Sequence, residues 1–144
     1  MKKLICVMAL VCIGILLVSC GSNRPSDPKA QFIRDFGLHI DKKDCVLEEL
    51  FNNYEGVPYE GIALYKLTIG EDVRQAFLQW ERFPFSEEAE CFLESLSAYA
   101  ELPLIADGYW KMVDRNPGTS AYTNVSLCVY DRATDAAYLL TMDI

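Results

Sequence analysis

The sequence predicts an α+β domain: an antiparallel sheet of about four to five strands with two helices packed on one face. Two stretches near the middle repeat apolar residues at helical spacing. The last third alternates apolar and polar residues at the two-residue period of a strand. Turn-forming segments separate these last runs.

In chain order, Gln31–Ile40 is ambiguous between a short helix and an extended piece. Cys45–Phe51 also reads two ways. Val46, Leu47, Leu50, Phe51 and Tyr54 suit a helix face, but pairing with the next run makes 45–51 a strand, which is preferred. Gly56, Pro58 and Gly61 mark a loop. Ile62–Ile69 is then a strand with Ala63, Tyr65, Leu67 and Ile69 on one face. Glu71–Glu81 is predicted helical, since Val73, Ala76, Phe77 and Trp80 fall at i, i+3, i+4 and i+7. Its acidic start and the following Arg82 suit the helix dipole, and Pro84 ends it. Ser86 caps a second helix with the buried stripe Ala89, Phe92, Leu93 and Leu96; Cys91 lies opposite, with Glu87 and Glu94. Gly108–Arg115, Val125–Tyr130 and Ala136–Met142 are strands, joined by Asn116-Pro117-Gly118 and by a hairpin loop over 131–135.

The N-terminus has a different logic. Basic Met1-Lys2-Lys3 precedes an uncharged apolar run from Leu4 to Val18 and a small residue, Ser19, as in a secretory signal. The run is shorter than the roughly 20 apolar residues that span a bilayer. Leu17-Val18-Ser19-Cys20 resembles the lipobox of bacterial lipoproteins. That resemblance implies a diacylglyceryl group on the Cys20 thiol and cleavage before it. One acyl chain binds membranes only marginally, whereas two hold. The expected domains are therefore 1–19 signal peptide, 20–30 lipidated Cys and flexible linker, and 31–144 a single α+β domain. The expected place is the cell membrane, lipid-anchored, outside the cytoplasm.

Net charge is −8, and becomes −10 once Lys2 and Lys3 leave with the signal. Such acidity argues against nucleic-acid partners, whose phosphates demand Lys and Arg. Of six cysteines, Cys6 and Cys12 fall in the signal and Cys20 at the lipidation site. Cys45, Cys91 and Cys128 remain, an odd number allowing at most one bridge; buried or unpaired thiols are the preferred reading. Their spacing matches no metal motif, and no cofactor is expected.

Gly108-Tyr109-Trp110, Asp114-Arg115, Asn124, Tyr130-Asp131, Tyr138 and Asp143 are similar to a pattern in a group of small uncharacterised bacterial proteins. The segment Gly56…Glu60-Gly61 is a looser match. The likeness implies a shared fold and carries no chemistry.

Among candidates for chemistry, His39 is the one histidine, and a triad would have to use it; a partly exposed structural role is preferred. Asp41/Asp44/Glu48/Glu49 lacks the order of a calcium loop, and Glu87/Glu88/Glu90/Glu94 reads as a solvated helix face. Tyr109, Trp110, Tyr122, Tyr130 and Tyr138 form a candidate binding surface, although the same rings suit a sheet interior, the weightier reading. The favoured function is a non-enzymatic, lipid-tethered binding module for an unknown protein or small-molecule ligand. The alternatives are an immunity or inhibitor lipoprotein against a toxin or wall hydrolase, and a small envelope hydrolase with a pocket holding His39 or converging carboxylates.

Overall fold

The computed structural model describes residues 27–39, 41–55, 60–118 and 123–144. Helix α1, Pro28–Phe36, opens the described chain. Asp27 caps it by accepting from the Lys29 N–H at 3.1 Å, Pro28 supplies the first turn, and left-handed Gly37 (φ 64°) closes it. The polar stretch expected as linker therefore gives up Pro28–Ala30 to this helix, because Asp-Pro is a helix start as well as a spacer. A 3₁₀ turn, Lys42–Asp44, leads into β1, Val46–Asn52, so the strand reading of this segment holds. Then come β2 (Gly61–Thr68), α2 (Glu71–Phe77), β3 (Glu81–Arg82), α3 (Glu87–Leu96), β4 (Gly108–Asp114), β5 (Asn124–Asp131) and β6 (Ala136–Asp143).

The six strands form one antiparallel sheet in the order β1-β2-β6-β5-β4-β3, one strand more than expected. The extra strand, β3, comes from the far end of the predicted 71–81 helix. Glu81 and Arg82 leave helical geometry to pair with Trp110 and Tyr109 of β4, and α2 stops at Phe77. Trp80 still packs inward, its ring 4.4 Å from Phe77 and 5.2 Å from Phe36.

Both faces of the sheet are covered. Ala63, Tyr65, Leu67, Cys128, Tyr130, Ala137 and Leu139 pack with Phe32 and Phe36 of α1 and Val73 and Phe77 of α2. The alternate residues Ile62, Leu64, Val125, Leu127, Val129, Tyr138, Leu140 and Met142 pack with Ala89, Phe92 and Leu96 of α3. The expected pair of helices on one face is thus divided between two. The cause lies in β5 and β6, where every residue from Val125 to Met142 except the turn is buried. A strand apolar on both sides needs a cover on each. Each fully buried ring, such as Phe32, Phe77 or Phe92, contributes about 1.5–3 kcal/mol. Gly108 permits close packing of β4 on β5, since a Cβ there would sit 2.0 Å from the Tyr130 carbonyl oxygen.

β1 is an outer strand, and its ladder with β2 shifts register between Glu49 and Phe51, leaving Leu50 as a bulge. The shift turns Phe51 toward the α3 side, where it packs on the second core, while Leu47 packs on the first.

Candidate ligand-binding cleft

At the end of the sheet where β1 stops, β2 starts and β6 finishes, the last turn of α3 overhangs a cleft of about 790 Å³. Helix α3 is aimed there from its start. The Ser86 hydroxyl accepts from the Ala89 N–H at 3.2 Å, and Ala89, Phe92 and Leu96 bury one stripe along the sheet. Leu96 joins Ile62 and Met142 as the cleft floor, all three buried. The following turn, held by the Tyr99 N–H donating to the Leu96 carbonyl at 2.8 Å, places Tyr99 at the mouth with 56% of its surface exposed. Ser95 also lines the cleft, but its hydroxyl donates to the Phe92 carbonyl at 2.6 Å.

The opposite wall is the start of the β1–β2 connection. Ile62 N–H donates to Asn53 Oδ1 at 2.7 Å, and Asn53 N–H donates to the Ile62 carbonyl at 3.1 Å. Glu55 and Glu60 then form an isolated antiparallel bridge with both backbone bonds made, at 3.0 and 3.1 Å. Gly61 makes this wall possible: a Cβ there would stand 2.6 Å from Tyr54 Cα. Both glutamates are exposed, and among the described residues neither has an ion-pair partner.

Asp143 belongs to this cleft and to a smaller cavity of about 190 Å³ on the α1 side. It is held firmly. Arg115 Nη2 donates to Asp143 Oδ1 at 2.7 Å and to the carbonyls of Met142 (3.2 Å) and Val125 (3.4 Å). Arg115 Nε lies 3.5 Å from Asp35 Oδ2, which also accepts from the Ser126 hydroxyl at 2.9 Å. The Asp35 side chain is only 3% exposed. The Tyr54 hydroxyl donates to Asp143 Oδ2 at 2.8 Å and stands 3.2 Å from the Thr141 hydroxyl. Burial, aided by the Asp143 charge, pushes the Tyr54 phenol well above its ordinary value.

The residues singled out from the sequence fall elsewhere. Trp110 and Tyr138 are buried on the α3 face, Tyr130 on the other, and Tyr109 is half-buried beside the first core. These four make no common surface; Trp110 Nε1 donates to the Pro84 carbonyl at 3.4 Å and the Tyr130 hydroxyl to Asp135 at 2.8 Å. Tyr122 and Cys20 lie outside the described residues. His39 is exposed and lines a different depression with Asp41, Asp44, Glu71 and Asp72. Lys43 Nζ lies 3.2 Å from Asp41. The glutamates of α3 are exposed, as expected of a solvated face. Among the described residues no group of three His, Cys, Asp or Glu could hold a metal. Cys45 and Cys128 are buried, Cys91 is exposed, and all three thiols are free. Burial raises the Cys128 thiol well above its usual value and Cys45 in the same direction.

Of the residues in the strand-end likeness, several are structural. Asp131 ties the β5–β6 turn by accepting from the Ala133 N–H (2.9 Å) and the Thr134 hydroxyl (2.6 Å). Arg115 and Asp143 meet each other. Sequence reasoning passed over Glu55, Asn53 and Tyr99; the available signal was a pair of glutamates bracketing a loop, Glu55 and Glu60.

Compared with known proteins, the chain matches no family model, no curated protein and no solved structure. Among the described residues, no helix is long and apolar enough to cross a membrane.

Proposed function

We propose that this protein is a lipid-tethered binding module held outside the cytoplasm, taking its ligand in the cleft under α3 without acting on it chemically. The tether is supported by the signal-like start and by Leu17-Val18-Ser19-Cys20. The observation that carries the binding reading is the cleft itself. Its volume lies in the range of small-molecule sites, and it combines an apolar floor with a few polar groups at the rim. The Ser95 hydroxyl in the cleft lining is spent on a helix carbonyl, and His39 lines another depression.

One observation favours the hydrolase alternative: Glu55 and Glu60 converge at the rim. Both stand in solvent, whereas a general acid working near neutral pH needs apolar surroundings. The test uses the full chain expressed in bacteria. Labelled palmitate should enter the protein, mass spectrometry should show a mature chain beginning at Cys20, and Cys20→Ala should lose the label. An intact residue 1 without acyl groups overturns the tether. Release of sugars from cell-wall glycan that disappears in Glu55→Gln overturns the binding reading in favour of hydrolysis.

A further inference from the structure

We propose that the cleft selects an amphipathic cation, an ammonium carried on an apolar stem; this rests on the cleft being the binding site. Among the described residues, the charged side chains lining it are Glu55, Glu60 and Asp143, all acidic. They are unequal. Asp143 is answered by Arg115 at 2.7 Å and by the Tyr54 hydroxyl at 2.8 Å. Glu55 and Glu60 have no such partner among the described residues, and their bridge sets them directly opposite each other. Like charges opposite one another on an antiparallel pair destabilise it. A cation between the two carboxylates turns that repulsion into two attractions.

The rest of the cleft fits the same ligand. Tyr99 presents an aromatic ring at the mouth, and the face of an aromatic ring attracts ammonium groups. Below, Ile62, Leu96 and Met142 offer an apolar floor to a hydrocarbon stem. An anion would be repelled by the Glu55 and Glu60 carboxylates, and a neutral apolar molecule would leave them facing each other. The net charge of −8 also draws cations toward the surface.

The experiment uses the full chain, labelled with ¹³C at Ile, Leu and Met methyls, in phosphatidylcholine nanodiscs near pH 7. Hexylammonium, hexanol and hexanoate share one apolar stem and differ in charge. The Ile62, Leu96 and Met142 methyls should shift with hexylammonium at about tenfold lower concentration than with hexanol, and least with hexanoate. Ile69 and Leu78, outside the cleft lining, should not follow. The double variant Glu55→Gln/Glu60→Gln, altered only at exposed positions, should remove the preference for hexylammonium while leaving hexanol unchanged. Equal response to hexylammonium and hexanol overturns the cation while sparing the cleft. No movement of the three floor methyls with any probe, or equal movement of Ile69 and Leu78, overturns the cleft reading as well.

Discussion

Arg115 joins three parts of the molecule, and Arg115→Ala tests whether they depend on it. The side chain, 20% exposed, spans from Asp35 on α1 to Asp143 on β6 and bonds two backbone carbonyls on the way. Its loss leaves Asp35, whose side chain is 3% exposed, with only Arg34 Nε at 3.1 Å and the Ser126 hydroxyl as partners among the described residues. Removing one partner of a buried ion pair costs about 3–5 kcal/mol. Partial exposure of Arg115 and Asp143 brings this to about 2–4 kcal/mol. Against a total stability of about 5–15 kcal/mol this is a large share. For a domain of this size it lowers Tm by about 8–16 °C. Urea unfolding followed by tryptophan fluorescence gives the value directly. A double-mutant cycle with Asp143→Asn should return a coupling of about 1–2 kcal/mol. A loss under about 1 kcal/mol, or a coupling near zero, would show the network to be ornamental and refute the reasoning.

Two other perturbations probe the same architecture. The Tyr54 phenol is raised in the folded state, so its contribution is fully present below about pH 10, where an unfolded tyrosine ionises, and drains away as pH climbs toward the folded value. Above pH 10 the urea midpoint should therefore fall more steeply for the wild type than for Tyr54→Phe; matching slopes would remove burial of this hydroxyl as the cause. Of Cys45, Cys91 and Cys128, only exposed Cys91 should react with a maleimide under native conditions, as read by tryptic mass spectrometry, with the buried pair labelling after unfolding.

The fold was legible where one residue type has one meaning. Ser86 before Glu87-Glu88 is a helix cap in sequence and in space, and the alternating run at Val125–Tyr130 is a strand in both. The sidedness of the helices was less accessible. An apolar stripe says that a helix has a cover, and only the continuous burial along Ala136–Met142 says that the sheet has two. That run, Ala-Ala-Tyr-Leu-Leu-Thr-Met, carried the signal, although it is equally the mark of a single strand. β3 could not be foreseen, because a two-residue strand exists only through its partner Tyr109-Trp110. The cleft was the least legible part. Its walls come from positions 53, 55, 60–62, 95–96, 99 and 142–144, and no local pattern joins them. Tyr109, Trp110, Tyr130 and Tyr138 spend their rings on the two cores, since hydrophobic area is needed first in the interior.

The skipped residue in β1 has a consequence for life among many copies. An outermost strand is an invitation to a neighbouring molecule to zip alongside and begin a fibre. Here the row of outward amides and carbonyls loses its even beat at Leu50, so a flat incoming strand that matches one half of the row falls out of step with the other. Glu48 and Glu49, exposed just before the break, add repulsion between like molecules. If many such proteins crowd one membrane surface, this irregular margin is what keeps them apart.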